Sequence, residues 1–283
     1  DHGEHYITRD KKEYSAMFYS AAGGGVLIAL MALFKTYLGS IIDDKVWKGI
    51  AEGLNYGLGF MVIFMLHFTV ATKQPAMTAA RFAEAVEKTP QGKSVNMKLA
   101  QLLVDVFRSQ SIAVLGNVLI AMGLAALIAF GYQYKTGEPL MNADQIAYQL
   151  HSIDPFAGTL WFAAIAGVWL FCSGIISGYF DNRSNYLNMR MRLTQHPLLK
   201  KLMSEKSRVK FANYMHENYG SLIGNFCFGM LLGLTGLVGY LTHLPLDIRH
   251  VAFSSANVGY IAVSGQFTYS LLLQCIGFVL LIG

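Results

Sequence analysis

His67, Asn117 and Asn225 are polar side chains set in otherwise apolar stretches of this 283-residue chain. An imidazole can shuttle protons near neutral pH. The one carboxylate of its stretch, Glu52, lies at the opposite end, which favours a packed or interfacial His67. An amide in hydrocarbon needs protein partners, so interhelical bonding or capping accounts for Asn117 and Asn225 more simply than a bound ligand. His243, Asp247 and His250 form one cluster with metal-ligand chemistry, and His2, Glu4 and His5 another. Neither has the spacing of a known ligand motif. No Walker lysine loop, dinucleotide glycine fingerprint, nucleophile elbow or HExxH occurs, and each of those patterns carries a specific chemistry. No catalytic constellation is visible, and no cofactor or metal is expected.

The elements that hold these residues read as transmembrane helices. Hydrophobic residues make up 54% of the chain and charged ones 14%, where a soluble domain carries about a quarter charged. Residues 14–38 form the first apolar run, with Lys35 as its only charge, close enough to the end to snorkel. Residues 50–71, 111–132, 155–180, 221–241 and 267–283 follow. The expectation is an all-α, polytopic membrane fold with about six spans and amphipathic cytoplasmic helices, in one membrane-embedded domain over residues 1–283. Cys172, Cys227 and Cys275 fall inside apolar runs and read as small buried hydrophobes. Asp1 opens the chain without a methionine and Gly283 closes it inside an apolar run, which reads as part of a longer protein, and no signal peptide is visible.

Two long connections are basic. In residues 72–110, Ala79, Phe82, Ala83 and Val86 share one helix face, residues 89–92 break the pattern, and Val95, Leu99, Leu102, Leu103 and Val106 form a second face. Both pieces should lie at the membrane surface. Residues 181–219 carry eight Lys or Arg, and Pro197 divides them into two surface helices. Residues 242–266, with Pro245, Ser254, Ser255 and Asn257, are too polar for a clear span and suit a re-entrant or interfacial segment. In chain order the tail and the connections hold three, two, six, one, eight and one Lys or Arg. Cation-rich loops stay cytoplasmic. This predicts a bacterial inner-membrane protein with a cytoplasmic N-terminus and residues 242–266 outside.

The third and fifth runs align without a gap, matching Gly116 with Gly224, Asn117 with Asn225, Met122 with Met230 and Tyr132 with Tyr240. A repeat of hairpins 50–132 and 155–241 would put the two amides at equivalent positions, as in parallel-repeat transporters. Glycines such as Gly53, Gly57, Gly229 and Gly233 are read as close-packing positions.

The runs GEHYITR (3–9), AAGGGV (21–26), ATKQPAMTA (71–79), FDNRSNY (180–186) and LPLDIRHVAFSSAN (244–257) together resemble the bacterial transmembrane family described as site-specific recombinase. The resemblance covers nearly the whole chain and implies the membrane-embedded C-terminal part of a longer protein. It also implies DNA strand exchange, but no His-x-x-Arg element of a tyrosine recombinase occurs, and no soluble domain could house a serine recombinase. No catalytic residue carries over. Two function classes follow: a membrane module that binds or moves a small or lipidic ligand or scaffolds a complex, and a DNA-associated membrane protein. Membrane lipids are the expected partners of the basic stretches, with a protein partner or a second copy of the chain beside them; nucleic acid is the disfavoured partner.

Overall fold

The computed structural model describes residues 7–71, 93–264 and 268–282, and the described residues are helical without strands. Helix α1 is Lys11–Ile41, α2 Lys45–Met65, α3 Lys93–Thr136, α4 Ala143–Ile153, and a 3-10 turn at Pro155–Ala157 leads into α5, Thr159–Tyr186. Then come α6 (Met189–Gln195), α7 (Pro197–Leu202), α8 (Glu205–Thr242), α9 (Val251–Ala262) and α10 (Tyr269–Ile282). Local chemistry sets the boundaries. Asp10 and Asp44 accept backbone N–H groups at the starts of α1 and α2. Asn142 and Gln145 form a reciprocal capping box on α4. Pro197 opens α7 at a position where a missing N–H costs nothing.

Among the described residues four helices, α1, α3 from Leu99, α5 and α8, are long and apolar enough to cross a membrane. This corrects the expected six. Helix α2 has 21 residues, but Lys45, Lys48, Glu52, Asn55 and Tyr56 dilute its apolar character. Helix α10 has 14 residues, and at 1.5 Å per residue it covers about 21 Å of a hydrocarbon core of about 30 Å. The residues 72–92, with the first amphipathic face, and His2, Glu4 and His5 lie outside the described residues. The second amphipathic face is no separate surface helix. With no proline between Lys93 and Thr136, it runs on into the third apolar run as one helix of 44 residues. Helix α8 likewise joins a charged start to an apolar end over 38 residues.

The bundle is built from close helix pairs: α2 on α8, α1 on α3, α5 on α8, and α9 on α3. The α2–α8 contact is backbone on backbone. A Cβ added at Gly229 would fall on Tyr56 and Gly57, and one added at Gly233 on the Gly53 backbone. Four-residue glycine spacing on both helices makes this approach possible. One core cluster joins Ile28, Phe60, Phe228, Phe253 and Tyr260, and the Tyr260 hydroxyl donates to the Ala29 carbonyl at 2.8 Å. Ten of the twelve residues of α9 are buried. It runs into the bundle from the end where α1 finishes, and α10 packs back along it to reach α4.

The outside of the bundle is apolar. On α2, Leu54, Leu58 and Val62 form an exposed stripe one turn apart, continued by Leu66 just past its end, while Glu52, Asn55 and Tyr56 turn inward. Only 17% of the apolar window of α5 is buried, so Leu160, Val168, Phe171 and Ile175 face outward. A soluble monomer rarely exposes contiguous apolar surface on this scale.

Substituting Gly233→Leu should force α2 and α8 apart and destabilise the protein by about 3 kcal/mol, whereas Gly236→Leu, whose Cβ would meet only Asp247 at 3.8 Å, should cost far less. Thermal unfolding in detergent, followed by intrinsic fluorescence, compares the two.

Candidate functional site

At the end where α1 and α8 finish, five elements open around a cavity of about 760 Å³. Helical spacing supplies its walls. Ala32, Lys35 and Thr36 come from one face of α1, and Lys45, Lys48, Glu52 and Tyr56 from one face of α2. Gln145, Tyr148, Gln149 and Ser152 repeat the pattern on α4, and His250, Phe253, Ser254 and Asn257 at the start of α9. The remaining wall is α8, where Gly233 and Gly236 leave room.

Two ion pairs lie in these walls. Lys35 Nζ stands 3.4 Å from Glu52 Oε2 and 5.5 Å from the centre of the Tyr56 ring. Arg249 Nη1 stands 2.5 Å from Asp247 Oδ2 and also donates to the Ile248 carbonyl, while its Nε donates to the Ser152 carbonyl at 2.8 Å. Its guanidinium also lies over Phe162. Arg249 therefore fastens the chain between α8 and α9 to the last turn of α4, which makes that chain a fixed wall. At the mouth, Lys45 Nζ sits 4.2 Å from the centre of the Tyr240 ring. Two lining residues, His250 and Phe253, pack on each other at 5.4 Å between ring centroids, and behind them Phe60 packs on Phe253 at 6.2 Å and on Phe228 at 5.2 Å. Acid, base, hydroxyl and amide groups thus line one chamber beside the His250 and Phe253 rings, an arrangement suited to holding a small hydrophilic molecule.

The three residues singled out from sequence lie elsewhere. Asn117, fully buried, donates from Nδ2 to the carbonyls of Ala21 (2.6 Å) and Thr69 (2.9 Å) and accepts the Ala71 N–H at 2.8 Å. It ties α1, α3 and the chain after α2 together at the other end of the bundle. Asn225 donates to the Ser221 carbonyl of its own helix. His67 is exposed, with φ of 58°, as the left-handed residue just beyond α2. Of the cluster His243, Asp247 and His250, the first is exposed at the end of α8, the second pairs with Arg249 and the third packs on phenylalanine rings. Among the described residues no group of three His, Cys, Asp or Glu side chains is placed to hold a metal. The chamber residues were missed because Lys35 and Glu52 stand at the facing ends of two consecutive runs, where Lys35 was read as a snorkelling charge and Glu52 only as the carboxylate farthest from His67. The three-residue connection between α1 and α2 brings those ends to one level, and that was the available signal.

Fold and chamber together define an all-helical bundle with an apolar exterior, four helices fit to cross a membrane, and a polar chamber at one end. The chain belongs to the site-specific recombinase family, whose sequence pattern matches residues 1–283. No curated protein and no solved structure matches it.

Asn117→Leu should leave one buried N–H and two buried carbonyls without this partner and cost about 1–3 kcal/mol, while Asn225→Leu, which gives up one bond within its own helix, should be close to neutral. Chemical or thermal unfolding of the two variants in parallel checks this ordering.

Proposed function

We propose that the chain is a multi-pass module of a bacterial inner membrane, with its N-terminus cytoplasmic, and that its polar chamber opens on the outer side and binds a small hydrophilic solute. The observation that carries the reading is the chamber itself: two ion pairs, Lys35–Glu52 and Arg249–Asp247, inside a bundle whose outer face is apolar. Ionisable groups among membrane helices are costly, and they mark ligand or ion pathways. A volume of about 760 Å³ suits a small solute. The orientation rests on the alternation of Lys and Arg along the connections, with the chamber at the cation-poor end of α5 and the eight cations of residues 181–219 at the other.

The test starts from a parent in which Cys172, Cys227 and Cys275 are replaced by alanine. A membrane-impermeant maleimide should label Gln149→Cys and Asn257→Cys, both chamber-lining and partly exposed, rapidly from the periplasmic side of spheroplasts, and slowly in inverted vesicles. Ala29→Cys, fully buried in the core, is the unreactive control. If the two chamber positions react no faster than this control, the reading of a solvent-filled chamber is wrong.

In nanodiscs, glutamate, glycine betaine, inorganic phosphate and glucose are tested as thermal stabilisers. A bound solute at one hundred times its Kd adds about 2.7 kcal/mol. One of them should raise Tm in the parent, and Glu52→Gln should reduce that rise.

A further inference from the structure

The excess positive charge of the chain is concentrated in one stretch. Residues 182–210 hold eight Lys or Arg and one carboxylate, Glu205, in a chain whose net charge is +5. Among the described residues, Arg190 Nη2 meets Glu217 Oε1 at 3.4 Å, whereas Lys200 donates to the Gln195 amide oxygen at 2.6 Å and Arg208 to the Met203 carbonyl at 3.5 Å. Large apolar side chains stand out beside the cations: Leu198 is 61% exposed and Leu202 79%. These two lie one turn apart on α7. At the start of α8, Lys206, Val209 and Lys210 likewise share one exposed face.

This surface stands clear of the apolar bundle. Asp181 of α5 accepts the Gly220 N–H of α8 at 3.0 Å, and that level is where the apolar runs of both helices stop. From there α8 continues unbroken to Glu205, about 22 Å away at 1.5 Å per residue, and Ser204 connects its first turn to α7. In the membrane placement proposed above, on which this inference rests, headgroups fill about 5–7 Å beyond the hydrocarbon, and the lipid field decays over about 8 Å more. The first turn of α8, and Leu202 joined to it through Ser204, lie past both. Positive charge of this density attracts an anionic partner from solution. A second copy of the chain would bring the same charge, and a phosphate backbone would neutralise the cations but leave two leucines in water. A protein segment with carboxylates and apolar side chains at helical spacing satisfies both.

We infer that α7 and the first two turns of α8 form a docking surface for an acidic amphipathic helix of a soluble protein, with its carboxylates on Lys200, Lys201, Lys206 and Lys210 and its apolar side chains on Leu198 and Leu202. Arg190 pairs with Glu217 and α6 packs along α8, so the surface is carried on a braced projection. It lies at the opposite end of α8 from the chamber.

The probe is a fluorescent synthetic peptide of the repeat Glu-Glu-Leu-Glu-Glu-Leu-Leu, titrated by anisotropy against the full chain, freed of its three native cysteines, in phosphatidylcholine nanodiscs, with empty discs as baseline. It should bind saturably, and oligoglutamate of equal charge about tenfold more weakly, a difference of about 1.4 kcal/mol. Leu198→Ser with Leu202→Ser, and Lys200→Gln with Lys201→Gln, should each weaken the peptide about tenfold; all four side chains are exposed, so Tm should not change. A nitroxide at Val209→Cys should be open to a water-soluble nickel chelate in phosphatidylcholine and in phosphatidylglycerol discs alike, and be shielded when the peptide is added. Shielding without peptide overturns the projection and the membrane placement behind it. Open access with no peptide binding overturns the docking surface alone. Equal binding of peptide and oligoglutamate overturns it too, and so does duplex DNA that binds more tightly than the peptide and ignores the leucine changes.

Discussion

The α2–α8 contact is the constraint on which the architecture depends. Gly53 and Gly57 of α2 meet Gly229 and Gly233 of α8 with no side chain between them, and dispersion between closely apposed backbones holds the pair where lipid offers no hydrophobic drive between helices. Because α2 is drawn in to this distance, its opposite face becomes the lipid-ready stripe of Leu54, Leu58 and Val62. The sector between carries Glu52 and Tyr56 into the chamber facing Lys35 of α1. A side chain at Gly233 would therefore alter the chamber wall as well as the packing.

The two ends of the bundle solve the polar problem differently. At one end Asn117 spends its amide on three backbone groups, which closes the junction of α1, α3 and the chain after α2. At the other, Arg249 spends two of its nitrogens on Asp247 and on backbone carbonyls, but Lys35, Glu52, Ser254 and Asn257 remain around open space. One end is fastened and the other is hollow. That asymmetry, more than any single residue, is what the proposed solute site rests on.

Much of the fold was legible in the sequence. The runs at 14–38, 111–132, 155–180 and 221–241 correspond to the four long apolar helices, because a window of twenty apolar residues has few alternatives to a helix. What hydropathy reports is polarity along the chain and not where a helix ends, so α3 and α8 run through boundaries that the charges had suggested. It also averages around the helix circumference, which concealed that α2 is polar inward and apolar outward. The chamber was hardly legible, since it joins Lys35, Glu52, Tyr148, Arg249 and Asn257, and no local pattern brings such distant residues together. The glycines were read for packing, and their partners appeared only in three dimensions.

Helix α9 carries a consequence for how the chain is assembled. It is 12 residues long with ten of them buried, contacts α1, α3, α4 and α10, and includes Ser254 and Ser255 within that buried surface. At about 18 Å it is shorter than the hydrocarbon layer, so lipid alone gives it no stable resting place. The groove that receives it is made mainly by α1, α3 and α4, which precede it in the chain. In the membrane placement proposed above, the architecture orders biogenesis: the long helices enter the bilayer first, and α9 moves in afterwards as a late piece that completes the inner wall of the chamber.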